Sequence, residues 1–236
     1  MSMRHRIQFP PESSTLLSQS DAAFLLHEPG QEPIRMRFHD YDEIYRRPGL
    51  YEQVFYDRLQ CSSPEKVAQL LDEAVRANGE RLAGLRVLDL GAGNGIVGEA
   101  LKARGVARLV GADIIPEARE AAYRDRPHVY DDYLVADMTA LTEEQRAELS
   151  EWRFDALTVI AALGFADIPV QAFVSALDFV RRGGWIAFNI KESFLSDEDQ
   201  SGFSKFIRRL MMSPALQVHH LERYQHRLSM EGEPLY

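Results

Sequence analysis

The run Val87-Leu88-Asp89-Leu90-Gly91-Ala92-Gly93-Asn94-Gly95 sets an acid near the end of a short apolar stretch and then places glycines at alternate positions. Glycine turns the backbone through φ > 0, or lets it approach a ligand that a Cβ would hold off. The stretch 96–104 that follows is amphipathic, so strand, glycine turn and helix start together form a nucleotide site at the carboxyl end of a sheet. Two further acids close apolar runs: Asp113 ends Leu109-Val110-Gly111-Ala112 and Asp137 ends Tyr133-Leu134-Val135-Ala136. A carboxylate carries two acceptor oxygens, so it can take a vicinal diol bidentately. Gly93-Asn94-Gly95-Ile96-Val97-Gly98 also satisfies G-x-G-x-x-G, with Asp113 twenty residues beyond Gly93, which fits a dinucleotide. Register argues the other way. A strand running past Asp89 would bury an unpaired charge at a cost, whereas a strand ending near Asp89 brings the acid out beside the ligand.

Read in that second register, the loop Asp-x-Gly-x-Gly-x-Gly resembles the first motif of the class I S-adenosylmethionine-dependent methyltransferases, and the likeness continues in order over residues 85–190. The resemblance implies S-adenosyl-L-methionine as cofactor. Asp89, Gly91, Ala92, Gly93 and Gly95 would then border its methionine end. Asp113 would take both ribose hydroxyls, and Ile114 would pack on an adenine face. Asp137-Met138 corresponds to the adenine contacts, a carboxylate for the amine and the next N–H for the ring. Phe154-Asp155-Ala156-Leu157-Thr158-Val159-Ile160 resembles the fourth-strand motif, with Asp155 as a fold residue and Ala161-Ala162 lining the site beyond it. Arg182-Gly183-Gly184-Trp185 resembles the turn into the fifth strand. The general shape is similar to the small-molecule branch, including the Williams–Beuren-region methyltransferase-like proteins. A small-molecule acceptor, methylated at O or N by in-line displacement, follows as the expected reaction. A non-catalytic binder of the same cofactor, or an NAD-dependent oxidoreductase, are the alternatives.

A neutral alcohol would need a proton acceptor, while an ionised acid or neutral amine would not. His39, whose imidazole can take up a proton, is the candidate for that role, and Lys191, just past the fifth strand, is a candidate to touch the substrate; these are the two catalytic candidates. In related enzymes a tyrosine-bearing N-terminal segment closes over the cofactor, which makes Tyr41, Tyr45 and Tyr51 lid candidates, Tyr41 and Tyr45 sharing a helical face. The same tyrosines could equally pack helices. His219-His220 would alternate across a late strand, and Cys61 is the sole cysteine, so neither a metal site nor a disulfide is expected.

The elements that must hold these residues alternate. From residue 85 the chain reads strand, helix, strand, helix, which predicts a three-layer, Rossmann-like, mostly parallel sheet with helices on both faces. Strands are expected at 109–113, 133–137, 154–161 and 185–190. Thr142-Glu143-Glu144-Gln145 reads as a capping box, Pro169 as the start of a helix ended by Gly183-Gly184, and Ser196 as the cap of a helix reaching about Met212. Residues 216–229 would supply a sixth strand with a turn at Glu231-Gly232-Glu233, leaving the final antiparallel strand truncated. A homodimer would be one way to cover the exposed edge. Ahead of the sheet, residues 1–20 read as a loose arm. Alternation at Ile34, Met36 and Phe38 across Glu28-Pro29-Gly30-Gln31 suggests a hairpin. Helices are expected from Pro48, with Tyr51, Phe55 and Leu59 on one face, and from Ser63-Pro64-Glu65 to Asn78-Gly79. Residues 1–84 therefore form the extension and 85–236 the cofactor-binding domain. The net charge of −9 argues against nucleic acid as main partner. No apolar run is long enough for a membrane span, and a cytoplasmic protein is expected.

Overall fold

The computed structural model describes residues 4–10, 22–163 and 167–236. Two compact units emerge, one from Met1–Ser62 with Gln225–Tyr236 and one from Ser63–Tyr224. In the first, β1 (Arg6–Gln8), β2 (Ala23–His27) and β3 (Ile34–Arg37) form an antiparallel sheet in that order. Part of the expected loose arm is thus a strand, since Ile7 pairs with Leu26; residues 11–20 lie outside the described residues. The hairpin between β2 and β3 turns as its sequence requires. Gly30 sits at φ +74° and the Gln31 N–H donates to the Glu28 carbonyl at 3.3 Å, the pattern of a type II turn. The apolar face of this sheet, with Phe24, Leu26 and Met36, packs with Ile44 of α1 (Tyr41–Tyr45), Leu50 of α2 (Leu50–Glu52) and Val54. The helix expected from Pro48 is one α turn that continues as a π-helical turn, Gln53–Arg58.

The second unit opens with α3 (Ser63–Ala77), closed by Asn78 and by Gly79 at φ +78°. Then come β4 (Arg86–Leu90), α4 (Ile96–Ala103), β5 (Arg108–Asp113), α5 (Pro116–Asp125), β6 (Asp132–Val135), α6 (Glu143–Trp152), β7 (Phe154–Leu163), α7 (Val170–Leu177), β8 (Val180–Ile190) and α8 (Phe203–Met212). The five strands lie in the order β6-β5-β4-β7-β8, every neighbouring pair parallel. Strand order reverses at β4, which places the ligand crevice beyond its carboxyl end. The core follows from the sequence: β7 is buried along Phe154–Ile160 because both its faces are covered. The capping box is present, with Thr142 and Gln145 exchanging side chain and backbone N–H.

Asp155, expected as a fold residue, is one. Its carboxylate accepts the Arg86 backbone N–H and Nε, both at 2.9 Å, and the Arg181 Nε at 2.7 Å, tying together the starts of β4, β7 and β8. Burial pushes its carboxyl up, yet the hydrogen bonds from Arg86 and Arg181 prevail and hold it at about 2.

Several expectations need correction. Gly183-Gly184 does not end a helix; α7 stops at Leu177, and the glycines lie within β8, where Gly183 takes φ +73° and the register with β7 is irregular. Ser196 does not cap α8 either. That helix starts at Phe203 after Gly202, and the Asp199 carboxylate accepts the N–H of Ser201 before the helix and of Ser204 in its first turn. Residues 216–229 add no sixth strand to the sheet. Leu221 and Val218 point to solvent, so the segment has no apolar face to bury. Its end forms β9 (Arg227–Leu228), which pairs with β10 (Pro234–Leu235) as a separate hairpin around the expected turn at Gly232. The Leu228 N–H donates to the Leu59 carbonyl, placing this hairpin in the first unit. Compactness accordingly divides the chain after Ser62 and after Tyr224, not between residues 84 and 85, and α3 belongs with the parallel sheet. No helix among the described residues is long and apolar enough to cross a membrane.

Candidate functional site

The glycine loop runs from the end of β4 into α4. Gly91, Gly93 and Gly95 have φ of +71°, +54° and +90°, and Gly95 stands at the N-terminus of the helix. At Gly91 conformation and space agree: a Cβ there would lie 2.8 Å from the Ala162 Cβ and 2.9 Å from the Ile168 Cδ1. Ala162, inside the irregular stretch of β7 between Val159 and Leu163, therefore abuts the loop. Ala161 itself has φ +56°, a region in which side chains other than glycine are strained.

Asp113, the last residue of β5, reaches back to this loop. Its Oδ2 accepts the Gly93 N–H at 2.9 Å and its Oδ1 the Ile115 N–H at 3.0 Å. Burial raises its pKa against the lowering pull of these backbone donors. Each oxygen has further acceptor capacity, so the carboxylate can serve the loop and a diol together. Ile114, next in sequence, is 58% exposed, an apolar side chain left at the strand tip.

Asp137 follows β6 on an exposed turn. Its Oδ1 accepts the Thr139 N–H and hydroxyl, at 2.8 and 2.7 Å, and these bonds lower its pKa. The Met138 side chain is buried in the core, so only its backbone can serve a ligand. Asp113 and Asp137 thus stand beyond adjacent strands of one sheet, beside the loop that follows β4.

Asp89 departs from expectation. β4 continues through Leu90 and Asp89 is fully buried, so it does not emerge beside a ligand, and the argument that a buried Asp89 would lack partners fails. Its Oδ1 accepts the Thr158 hydroxyl and its Oδ2 the Tyr130 hydroxyl, both at 2.7 Å. Burial nonetheless dominates, and the carboxyl is pushed up to about 7. Tyr133 lies edge-on to Tyr130 and donates its hydroxyl to the Gly93 carbonyl at 2.7 Å. Tyr130, Tyr133 and Thr158 thus support the loop from beneath. The lone hydroxyl in the apolar run of β7 was the one sequence signal of this network.

Lys191 directly follows β8 at the start of a 3-10 turn, Glu192–Leu195. Tyr41, Tyr45 and Tyr51 belong to the first unit and pack on one another: Tyr41 stacks on Tyr45 at 6.1 Å, Tyr45 meets Tyr51 at 5.1 Å, and Tyr51 meets Phe55 at 4.7 Å between ring centroids. His39 stands edge-on to Tyr41.

Residues 88–188 match the family model described as "Methyltransferase domain", from the strand that carries Asp89 to the one beside β7. That stretch is similar to methyltransferase domains. The domain is similar to ubiquinone biosynthesis O-methyltransferases. The protein of that name from Thiobacillus denitrificans is 32% identical over 108 residues, covering 46% of this chain and 45% of the relative. The one from Alkalilimnicola ehrlichii is 27% identical over 163 residues, covering 69% and 64%. The chain therefore spans about half to two thirds of the length of these relatives. Among solved structures, an S-adenosylmethionine-dependent methyltransferase from Clostridium acetobutylicum superposes at TM-score 0.45 with 17% identity, covering 63% of this chain and 58% of the other.

Proposed function

We propose that this chain transfers a methyl group from S-adenosylmethionine to an oxygen or nitrogen of a small-molecule acceptor. The observation that carries the reading is the bond from the Gly93 N–H to Asp113. It brings a diol-competent carboxylate to a glycine loop in which a side chain at Gly91 would not fit, while Asp137 stands one strand further along. This donor set suits a ligand with a sugar and a purine. Asp113 would hold the ribose hydroxyls, Ile114 and the Met138 backbone the adenine, Asp137 its exocyclic amine, and Gly91, Ala92, Gly93, Gly95 and Ala161 the amino-acid end. Asp89 acts from behind, holding the loop's base through Tyr130 and Thr158.

The cofactor supplies a sulfonium methyl carbon open to in-line attack. What the protein adds is placement and exclusion of water. A neutral hydroxyl acceptor must lose a proton as it reacts, and Lys191 directly beyond β8 is the candidate to touch that acceptor. The names carried by the similar ubiquinone biosynthesis enzymes favour oxygen as the methylated atom. The acidic balance, −9 overall, disfavours nucleic acid. The two edge strands of the sheet, β6 and β8, are where a homodimer would form. Calorimetric titration with S-adenosylhomocysteine and with NAD tests the reading. Saturable binding of the former with none of the latter is expected; NAD binding without the former overturns it.

A further inference from the structure

At the carboxyl end of β7 the parallel ladder breaks. Val159 pairs with Phe188 and Leu163 with Ile190, so β7 carries two residues more than β8 across this interval. Ala161 sits in the excess with φ +56°. Its N–H finds an acceptor in a side chain, the Asn189 Oδ1 at 2.7 Å. The Asn189 amide is oriented in turn: Nδ2 donates to the Ser63 Oγ at 3.4 Å, and that oxygen is 2.8 Å from the Tyr224 hydroxyl. A flipped amide would set two donors against each other at Ala161. The chain of bonds therefore fixes Asn189, and Asn189 fixes a strained turn whose next residue, Ala162, abuts Gly91.

We infer that Asn189 is a positioning residue for the cofactor site, holding Ala161 in the left-handed region so that Ala162 forms the wall facing the glycine loop. The inference deepens the methyltransferase reading and takes its ligand from it. Without the side-chain acceptor, Ala161 relaxes toward an ordinary conformation and the wall shifts. A left-handed non-glycine residue is strained enough that losing its support changes ligand affinity about tenfold.

The test measures S-adenosylhomocysteine affinity calorimetrically, and Ala161 amide exchange without ligand, on the full chain. Asn189→Ala is expected to raise Kd about tenfold and to expose the Ala161 amide to exchange. Asn189→Asp, which retains an acceptor, should stay within about threefold of the parent. Adding Ala161→Gly to Asn189→Ala should recover most of the lost affinity, because glycine adopts φ +56° without the strain. Unchanged binding in Asn189→Ala overturns the inference. So does an equal loss in Asn189→Asp with no recovery by Ala161→Gly, which marks a merely structural role. Should the parent chain bind no S-adenosylhomocysteine, the proposed function fails. Exchange at Ala161 then decides the positioning role alone, and unaltered protection in Asn189→Ala overturns it.

Discussion

Asp113 and Asp89 stand at the ends of neighbouring strands and do opposite work. Asp113 offers acceptor oxygens at the surface of the crevice, and Asp113→Asn keeps its shape while removing the charge. A hydrogen bond to a charged group is worth about 1.5–3 kcal/mol, so calorimetry should show S-adenosylhomocysteine binding weakened by about ten- to a hundredfold. Asp89 is walled in, and its carboxyl titrates near 7 in the fold against about 3.9 in an unfolded chain. Below about pH 4 both states hold the proton. Between about 4 and 7 the unfolded chain releases it first, so this residue withdraws stability as pH rises and levels off above its folded pKa. Asp89→Asn lacks the titration. Urea unfolding from pH 4 to 8 should show the parent losing stability relative to the variant up to about pH 7; parallel profiles would contradict the assignment. Sequence expected Asp89 to emerge at the end of its strand, and the structure keeps it inside β4. Its two hydroxyl partners lie 41 and 69 residues away, and no local pattern announces such pairing.

The strands carry two kinds of constraint at their two ends. At the carboxyl ends Gly91 is pinned by both φ and contact. Gly91→Ala is expected to abolish detectable cofactor binding, read by calorimetry, because the new methyl would meet Ala162. At the amino ends the Asp155 carboxylate joins three strands through Arg86 and Arg181. Asp155→Asn should lower stability by about 1–3 kcal/mol in chemical denaturation, with S-adenosylhomocysteine affinity within about twofold of the parent. The stabilisation that Asp155 contributes is present above the unfolded pKa and fades as pH falls toward about 2. Alternating apolar runs and terminal acids made β4 to β8 legible, because each strand advertises itself within a few residues. The bulge in β7 and the partner of the Ala161 N–H were not legible, since both depend on how many residues two distant segments bring to one ladder. The missing sixth strand has the same origin. Residues 216–226 alternate well enough, yet exposed Leu221 and Val218 show that a strand needs a surface to cover as well as a pattern.

Across the whole molecule, the unit boundaries differ from a simple extension followed by a domain. The hairpin of β9 and β10 completes the first unit: the Ser62 N–H donates to the His226 carbonyl at 2.9 Å, and the Arg227 guanidinium lies 5.6 Å from the Phe38 ring centre. Removing residues 225–236 should therefore loosen the antiparallel sheet and its helices, seen as faster amide exchange in β2 and β3. Protection in β4 and β5 should persist, and equal loosening of both regions would refute the division. An order of events on the ribosome follows from this arrangement. The parallel sheet is contiguous and can mature as it emerges, whereas the smaller unit waits for its closing hairpin until all of Ser63–Tyr224 has been made. During that interval Phe38 lacks the cover of Arg227, which makes this unit the later of the two to be protected from proteases.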